Sequence, residues 1–354
     1  MKVASVSFWH LHGTDYATDA QNSPDLELVA LWDDDAERGA EGARRYGIVF
    51  EPDLDVILDD KSIEGVIVCA PTSEHADIVI RCIRAGKHVF MEKVLSADLP
   101  EARAIVTAAR DQDAALTVSL WRSDKGYAAQ IAELVASGLV GTVTSARIRD
   151  GHPFALPMTG HPDGLLPARF YDPSTTCGGV LIDLCHPLYL LAMILGLPVR
   201  VATMFGHVTG HEVEDNAAVL LSYASGAIAI AETSSVTRIT PFTIEIHGTE
   251  GSILYSEPGI GALVAAREGH DGPELAPDDV PRLRYRSINS PENGWQQIDV
   301  APDAPTAITQ WVRHAQTGSR GRQNNDLAIA LTALVRAAYD SARHGEVVAV
   351  QPCD

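Results

Sequence analysis

Basic residues, cysteines and long apolar runs are all scarce in this chain of 354 residues. Lys and Arg together number 27 against 47 Asp and Glu, which gives a formal net charge of -20. Nucleic acids and anionic membranes are bound by clustered Lys and Arg, so this balance argues against both as partners. The sequence has no apolar run long enough to span a bilayer and no basic-then-apolar leader, which predicts a cytoplasmic protein.

The spacing of the cysteines also predicts a cytosolic protein. The five cysteines form no Cys-x-x-Cys pair and no spacing typical of a zinc site; they are Cys69, Cys82, Cys177, Cys185 and Cys353. Such isolated thiols are typical of a reduced, cytosolic protein.

The first third of the chain alternates short apolar strands with helices. The predicted strands are 3–7, 26–32, 66–70, 89–91 and 116–120, and the predicted helices include 14–22, 36–46 and 100–111. Strands separated by helices of about ten residues indicate βαβ units and a parallel sheet. We therefore expect a doubly wound, Rossmann-like dinucleotide-binding domain over residues 1–122.

The pattern changes after residue 122, because strands now follow one another with glycine turns between them. The predicted strands are 143–149, 217–223, 227–234 and 242–247, with weaker ones at 261–267 and 282–287. The predicted helices are 127–137, 187–195, 307–316 and 327–343. This order predicts an α+β domain over residues 123–354, with a large, mostly antiparallel open sheet.

The first strand-to-helix turn lacks the Gly-x-Gly-x-x-Gly motif of dinucleotide folds. Ser7, Trp9 and His12 stand at its three glycine positions. The helix start near Gly13 can still offer N–H groups to an anion. His10 and His12 could aim an imidazole at a phosphate, form a His-x-His metal site, or be plain loop residues. No carboxylate or cysteine nearby in sequence completes a ligand set, so we predict no metal.

Asp33 ends the second strand, about twenty residues beyond the first turn. An acidic side chain there accepts hydrogen bonds from the adenosine ribose and repels a 2′-phosphate, which favours NAD over NADP. The alternative is an N-cap for the helix that starts at residue 36, a role that Asp34 or Asp35 can fill instead.

Two further turns follow buried strands. After the strand at 66–70, Pro71 predicts an extended turn and Thr72 offers a hydroxyl to a ribose or nicotinamide. His75 is either a cofactor contact or simply a residue of the next helix.

After the strand at 89–91 come Glu92 and Lys93, at the sheet edge where ligands bind in open α/β folds. Desolvation there can lower the pKa of a lysine and suit it to proton transfer. The alternative is that Glu92 and Lys93 only cap the strand and are solvated.

Residues 178–186 read GGVLIDLCH and hold a second candidate site. Asp183 and His186 are three residues apart, so on one helix their side chains would share a face. An imidazole beside an orienting carboxylate suits the removal of a hydroxyl proton. The alternative is that Asp183 is a structural N-cap and that His186 follows it by chance, without a catalytic role.

Taken together, these motifs resemble the glucose–fructose oxidoreductase/inositol dehydrogenase/MocA (Gfo/Idh/MocA) oxidoreductases. The resemblance covers nearly the whole chain and depends on order and spacing. Its elements are Asp33, the 71–75 turn, the 85–93 stretch ending in Lys93, the 178–186 stretch, and the segments 213–216, 247–251 and 337–345. Three features depart from the family pattern: the missing glycines, Val94 in place of a proline, and two rather than three residues between Asp183 and His186.

The resemblance implies an NAD-dependent oxidoreductase acting on a secondary hydroxyl of a sugar, inositol or related ring. It implies catalytic roles for Lys93, His186 and Asp183, and a homo-oligomer, either a dimer or a tetramer, formed through the open sheet. We add candidate substrate contacts just after the last Rossmann strand and in the following loop: Arg122, His152, His161, Arg169 and Tyr171. Two alternatives share the fold, a glycoside-cleaving enzyme that oxidises the ring transiently and a dinucleotide-binding sensor without turnover.

Overall fold

The computed structural model describes residues 1–158, 160–259 and 280–352, and it divides the chain into two compact units. The first unit contains Met1–Trp121 and Pro305–Thr332, and the second contains Arg122–Ala304 and Ala333–Asp354. We predicted a single domain boundary near residue 122. The segment Pro305–Thr332 lies beyond that boundary, but in the structure it belongs to the first unit.

The described strands, in chain order, are β1 (Lys2–Val6), β2 (Glu27–Trp32), β3 (Val49–Phe50), β4 (Gly65–Val68), β5 (His88–Met91), β6 (Leu116–Val118), β7 (Val143–Gly151), β8 (Arg200–Gly206), β9 (Asn216–Ser222), β10 (Ile228–Ser234), β11 (Phe242–Gly248), β12 (Gly251–Glu257), β13 (Arg282–Ser287), β14 (Gln296–Ile298) and β15 (Val348–Ala349). The described α-helices are α1 (His12–Asn22), α2 (Ala36–Tyr46), α3 (Leu54–Asp59), α4 (His75–Arg84), α5 (Leu99–Asp111), α6 (Gly126–Ala136), α7 (Pro173–Thr176), α8 (Val180–Asp183), α9 (His186–Leu195), α10 (Ala307–Thr317) and α11 (Arg322–His344).

The first unit is built on a parallel sheet in the order β3-β2-β1-β4-β5-β6. Its central strands are apolar on both faces, as parallel strands covered by helices must be. The strand order reverses direction between β1 and β4, so the carboxyl ends of these strands form the switch point at which such folds bind ligands. The predicted Rossmann-like fold is confirmed.

Trp311 explains why the late segment belongs to the first unit. Its indole is fully buried in the core of this unit and lies near the ring of Phe90, with the ring centroids 6.0 Å apart. The indole Nε1–H donates to the carbonyl of Ala115 at 3.3 Å. Burying a tryptophan contributes more than most single side chains, so α10 packs as part of this core.

The second unit contains a mixed sheet whose described strands run in the order β14-β13-β12-β11-β7-β10-β9-β8-β15. β7 and β10 pair in parallel, and the other neighbouring strands pair antiparallel. Side chains alternate between a buried face and a more exposed face, as in a sheet covered on one side. The predicted open, mostly antiparallel sheet is therefore confirmed.

The exposed face carries large apolar side chains on neighbouring strands. Met204 on β8, Leu220 on β9 and Ile228 on β10 expose 78%, 45% and 49% of their surface. β8, β12 and the short strands β14 and β15 were missed by the sequence prediction, and the weak strand predicted at 261–267 lies outside the described residues.

Among the described residues no single helix has both the length and the apolar character needed to cross a membrane. The bent pair Pro173–Asp183 and His186–Leu195 meets that composition test only when taken together, with 53° between its halves. His186 to Leu191 are buried within the second unit.

Candidate functional site

The first turn of the sheet is closed by Ser7 instead of a glycine. Ser7 has φ 67°, in the left-handed region where glycine is favoured. Its hydroxyl compensates by accepting the backbone N–H of Trp9 at 3.0 Å. The indole of Trp9 is turned into the protein, leaving the residue 6% exposed.

Gly13 takes over the packing role of the third fingerprint glycine. A Cβ at this position would lie 2.9 Å from Phe8 Cδ1 and 3.2 Å from Phe8 Cα, so only glycine lets α1 approach the turn. α1 spans 11 residues from His12, and its first N–H groups have acceptors within the turn: that of His12 donates to His10 Nδ1 at 3.2 Å and that of Gly13 to the His10 carbonyl at 3.0 Å. Gly13 therefore keeps the close packing of helix and strand that the usual motif gives, shifted by one residue.

Asp33 lies at the end of β2 and is held by several donors. It accepts the backbone N–H of Phe8 at 2.7 Å and that of Asp35 at 2.9 Å. Arg38 donates two further hydrogen bonds to its carboxylate, at 3.0 and 2.5 Å. The N-cap of α2 is Asp35, which accepts from Glu37 and Arg38, so the alternative role for Asp33 is filled by another residue. Sequence reasoning missed Arg38, although its position one turn into α2 points it back at the strand end.

Glu92 is the centre of a buried charged cluster at the end of β5. Its carboxylate accepts from Tyr16 Oη at 2.5 Å and lies 3.2 Å from His12 Nδ1. Lys93 Nζ is 3.3 Å from the other carboxylate oxygen, and His10 Nε2 is 4.0 Å from it. Burial alone would raise the pKa of Glu92, but the neighbouring His10, His12 and Lys93 outweigh it and hold the pKa well below its usual range.

The same cluster contains a possible metal-ligand set that the sequence did not reveal. His10, His12 and Glu92 place one ligand atom each within 4.8 Å of one another, so Glu92 supplies the carboxylate that is missing nearby in sequence. However, His10 Nδ1 accepts the backbone N–H of His12 at 3.2 Å. The neutral imidazole then carries its proton on Nε2, the nitrogen that faces Glu92. Together with Lys93 and Tyr16, this favours a hydrogen-bonded ionic cluster over a metal site.

Tyr16 is a residue of this cluster that the sequence prediction missed. It lies four residues after His12 on α1, so the two side chains share a helix face. Its hydroxyl also contacts Ser119 at 2.7 Å. Burial and the nearby Glu92 carboxylate raise the pKa of Tyr16 well above its usual value, so it acts as a neutral donor.

Lys93 is 4% exposed, and its backbone is held from the neighbouring turn. His75 Nδ1 lies 2.7 Å from the carbonyl oxygen of Val94, and its Nε2 lies 3.1 Å from that of Ala70. The Lys93–Val94 peptide bond is cis. Burial lowers the pKa of His75, and both ring nitrogens face carbonyl oxygens. His75 therefore links two turns and acts on the Lys93 segment through the backbone.

The turn that contains His75 is itself buried at its start. Pro71 and Thr72 are both buried, and Thr72 begins a short 3-10 turn, Thr72–Glu74, that leads into α4. Thr72 thus lies at the carboxyl end of β4, next to β1 in the sheet, where a nicotinamide or ribose contact is expected in this fold.

In the second unit, Glu214 holds the start of α8, the short helix that ends at Asp183. Its carboxylate accepts the backbone N–H of Gly179 and of Leu181, each at 3.0 Å, and the hydroxyl of Tyr339. Burial raises the pKa of Glu214 despite these donors. The start of α8 is thereby tied to the strand region before β9.

Asp183 and His186 do not share one helix, so that part of the sequence prediction was wrong. Asp183 ends α8, His186 begins α9, and Leu184 between them has φ -101° and ψ 47°, outside the helical region. His186 Nδ1 lies 3.1 Å from Tyr189 Oη, and His186 is 3% exposed.

His152 lies close to Asp183. Its Nε2 is 4.0 Å from Asp183 Oδ2, and the side chain of Asp183 is 23% exposed whereas that of His152 is 4% exposed. The imidazole stacks on Phe154 with centroids 4.1 Å apart. The unit therefore brings together two residues, His152 and Asp183, that the sequence prediction placed in separate roles.

Arg122 has a different environment from the one expected of a substrate contact. Its guanidinium bonds Asp150 at 2.9 and 3.2 Å, Glu257 at 2.7 Å and Tyr127 at 2.9 Å. It also lies 3.7 Å above the ring of Phe242 and is 1% exposed. Four of the five N–H donors of this guanidinium are thus taken by protein acceptors, which favours a structural role over contact with a substrate.

The remaining loop candidates differ in exposure. His161 is exposed and forms a small backbone bridge with Met158, while Arg169 is half-buried beside Phe170. Tyr171 stacks on His211 with centroids 3.7 Å apart. Its hydroxyl is buried and has no hydrogen-bond partner among the described residues, so a ligand hydroxyl could satisfy it.

Comparison with known proteins shows which family of proteins this chain is similar to. Residues 9–120 match the model described as oxidoreductase family, NAD-binding Rossmann fold, and residues 128–254 match the GFO/IDH/MocA C-terminal domain. The chain is 30% identical over 233 residues to 1,5-anhydro-D-fructose reductase of Ensifer adhaerens, covering 64% of this chain and 68% of that protein. It is 27% identical over 272 residues to inositol 2-dehydrogenase of Rhizobium meliloti (strain 1021), covering 74% and 78%.

A solved structure of levoglucosan dehydrogenase with NADH and levoglucosan has the same fold. Its TM-score with this chain is 0.77 at 19% identity, and the match covers 99% of this chain and 100% of that one. Both family models, their order along the chain and these relatives agree with the two units described above. The chain therefore belongs to the Gfo/Idh/MocA family of oxidoreductases.

Proposed function

We propose that this protein is an NAD-dependent dehydrogenase that oxidises a secondary hydroxyl of a sugar, inositol or related carbohydrate ring, in the cytoplasm. The observation that carries the proposal is the buried pair at the end of β5, where Lys93 Nζ lies 3.3 Å from the Glu92 carboxylate. The relatives support the substrate class, because those named above act on inositol and on an anhydro sugar.

The assignment of NAD depends on the charge at the end of β2. A carboxylate at this strand end accepts ribose hydroxyls and repels a 2′-phosphate in such folds, although that of Asp33 already accepts four hydrogen bonds from Phe8, Asp35 and Arg38. Arg38 partly offsets that repulsion, since it is bonded to the same carboxylate. We therefore expect NAD to bind more tightly than NADP, with a smaller ratio than an unpaired aspartate would give.

Other residues of the first unit would hold the cofactor around this point. We assign contacts with the dinucleotide to Ser7, Trp9, His10, His12, Pro71, Thr72, His75 and Glu92, with His75 acting through the backbone it supports. Of the two histidines in the Glu92 cluster, His12 has the more accessible imidazole, with 35% of its side chain exposed against 9% for His10, so it is the one that could face a phosphate. When bound, the nicotinamide supplies the acceptor for the hydride.

The proton of the substrate hydroxyl is handled by Lys93 and His186 in this proposal. Lys93 donates a hydrogen bond to the reacting oxygen, and His186 Nε2 accepts the proton. This requires the tautomer in which His186 Nδ1–H donates to Tyr189 Oη, 3.1 Å away. Tyr189 Oη also accepts the backbone N–H of Arg122 at 3.1 Å, so both of its lone pairs are then used.

Substrate hydroxyls would be recognised by side chains of the second unit. Tyr171 offers an unsatisfied buried hydroxyl, and His161 and Arg169 lie on the same loop segment. The apolar face formed by Met204, Leu220 and Ile228 supports a homo-oligomer, since monomers rarely expose such groups together. Light scattering on the purified protein would give its oligomeric state.

The proposal is tested by titrating the protein with NAD and NADP and then measuring NADH formation with inositols, hexoses and glycosides. Replacing Lys93 by Ala should lower kcat by about 10²–10³-fold, the usual loss when one hydrogen-bond donor to an oxygen that develops charge is removed. Lys61→Ala is the matched control, because Lys61 is exposed on the same unit.

Two results would contradict the proposal. One is that neither dinucleotide binds, and the other is that Lys93→Ala turns over as fast as the wild type. Release of an aglycone from a glycoside without accumulation of NADH would instead favour the glycoside-cleaving alternative.

A further inference from the structure

We propose that the first unit carries a second binding site, apart from the candidate active site, for a small organic anion that also bears hydroxyl groups. The site is a cavity of about 320 Å³ between the end of α5 and the start of α11. Its floor is formed by buried apolar side chains, those of Val106, Ala109 and Ala114. Ligand pockets usually measure about 300–1,000 Å³, so this volume suits a small molecule.

The cavity lies at the amino end of β6. α5 leads into β6 through Asp113 and Ala114, and both of these residues line the cavity. Glu92 and Lys93 lie at the carboxyl end of β5, which pairs in parallel with β6. The dinucleotide is expected at the carboxyl ends of these strands, so a ligand in this cavity would be separate from the cofactor and from the substrate.

Asn325 is the residue that points to a ligand. It is 6% exposed, it lines the cavity, and its Oδ1 has no hydrogen-bond partner among the described residues. A buried oxygen without a donor costs stability, so such groups are rare in native proteins. The preceding residue shows the usual arrangement, because the amide of Asn324 accepts from the N–H of Val118 at 2.8 Å and donates to its carbonyl at 2.9 Å. A ligand hydroxyl would supply the donor that Asn325 lacks.

The place of Asn325 on α11 is one that an apolar residue would normally fill. Residues 325, 328, 329 and 332 are all buried and recur at helical spacing, so they face the core of the first unit. Leucine or alanine would bury no unsatisfied oxygen there, and both are better helix formers than asparagine. Packing and helix propensity therefore disfavour asparagine at this position, whereas contact with a ligand accounts for it.

Arginines give the cavity its preference for an anion. Arg320 is already engaged, because its guanidinium forms a bidentate pair with Asp113 at 2.9 and 2.7 Å. Arg110 and Arg322 also line the cavity, and both are exposed. Their side chains take part in no hydrogen bond or ion pair of the described residues. Two such guanidiniums beside one small cavity suit a phosphate or a carboxylate, which each can bind through paired N–H groups.

The acceptors of the cavity define the rest of the ligand. Asp326, next to Asn325 in the chain, is exposed and lines the same cavity. Its carboxylate repels a bare anion but accepts hydrogen bonds from hydroxyl groups, as Asn325 Oδ1 does. A phosphate or carboxylate on a carbon chain with hydroxyl groups satisfies both the two arginines and these two acceptors.

Isothermal titration of the full-length protein tests the site, with NAD in excess so that the dinucleotide site is occupied. The probes are glucose 6-phosphate, gluconate and inorganic phosphate. At least one of the two hydroxylated anions should bind, with one molecule per chain, and the tighter of them identifies the anionic group as phosphate or carboxylate. Inorganic phosphate should bind about fivefold or more weakly than that anion, because it lacks the hydroxyl that reaches Asn325.

Variants locate the bound anion. Arg110→Gln and Arg322→Gln should each weaken binding of the hydroxylated anion about tenfold, since each removes a charge-assisted hydrogen bond. Asn325→Leu should weaken it about fivefold and leave the affinity for inorganic phosphate unchanged. Without ligand, this variant should melt no lower than the wild type, because the unsatisfied oxygen is gone. Arg44→Gln, at an exposed position of α2 in the same unit, is the matched control and should bind as the wild type does.

The inference is overturned if neither hydroxylated anion binds, if both arginine variants bind as tightly as the wild type, or if Asn325→Leu affects the hydroxylated anion and inorganic phosphate equally. If neither dinucleotide binds, the proposed function fails, while the arginine variants still decide whether the anion occupies this cavity.

Discussion

Each unit buries one glutamate that accepts a hydrogen bond from a tyrosine, yet the two carboxylates are stabilised in opposite ways. Glu92, 1% exposed, is surrounded by Lys93 and two imidazoles, and its pKa is held well below the usual range. Glu214, 4% exposed, meets backbone N–H groups and the Tyr339 hydroxyl, and burial raises its pKa. At Glu214 the neutral donors do not outweigh the desolvation of the carboxylate, whereas at Glu92 the neighbouring histidines and lysine do.

The comparison also separates two uses of a buried acid. Glu92 lies beside a lysine at the ligand-binding edge of a parallel sheet, where a fixed charge can serve chemistry. Glu214 ties the start of α8 to the chain before β9, which fixes the position of Asp183.

The largest effect is expected from Glu92→Gln. The change leaves Lys93 buried without its counter-charge and sets an amide N–H₂ against other donors, so the free energy of unfolding should fall by about 3–5 kcal/mol. Urea unfolding at neutral pH measures it. Glu41→Gln, on an exposed position of α2, should change it by no more than about 0.5 kcal/mol. A loss for Glu92→Gln as small as that of this control would mean that the cluster is solvated.

Glu214→Gln should cost less, about 1–3 kcal/mol, because its neighbours are neutral and one amide oxygen can keep some of the donors. The adjacent, exposed Glu212 provides the control variant Glu212→Gln. If Glu214→Gln destabilised the protein more than Glu92→Gln, the contrast between charged and neutral surroundings would be wrong.

The pH dependence of stability should have opposite signs for the two residues. Glu92 has a lowered pKa in the folded state, so its contribution is complete above about pH 4.3 and is lost as the pH falls toward its folded pKa. Glu214 has a raised folded pKa, so its contribution is present below about pH 4.3 and is lost as the pH rises through that pKa.

Each unit of pKa shift corresponds to about 1.4 kcal/mol. The measurement is the unfolding free energy of the wild type minus that of each Glu→Gln variant, followed across pH. Parallel curves for the two positions would refute the assignment.

The matched pair Tyr16→Phe and Tyr339→Phe should show the smallest effects, about 1–2 kcal/mol each. Both remove one hydroxyl that donates to a buried carboxylate. Tyr16→Phe should also change dinucleotide affinity, because its partner carboxylate contacts His12 and Lys93, whereas Tyr339→Phe should leave that affinity unchanged. Calorimetric titration with NAD distinguishes the two, and equal effects on affinity would contradict the proposed location of the cofactor.

The sequence predicted the elements whose signals are local. Alternating apolar strands and helices gave the parallel sheet, and Glu92 and Lys93 could be placed at a strand end because the apolar run before them is short and clear. Asp35 as the N-cap of α2 and Gly47 at its end, with φ 67°, follow ordinary capping rules.

What the sequence could not give depends on the order of strands and on single backbone angles. Tyr16 meets Glu92 across 76 residues only because β1 and β5 flank the same neighbour, β4. The break at Leu184, which separates Asp183 from His186, has no marker such as Gly or Pro at that residue. The approach of His152 to Asp183 likewise depends on how two distant segments pack within the second unit.

The late segment that carries Trp311 sets an order of events during synthesis. Residues up to Trp121 leave the ribosome first, but α10, whose indole fills their core, follows only after the second unit's first segment has been made. At about 5–20 residues per second, the roughly 210 residues from Arg122 to Thr332 take about 10 to 40 s. During that interval the apolar side chains that Trp311 covers lack this partner, and exposed apolar surface of this kind makes incompletely folded chains prone to aggregation.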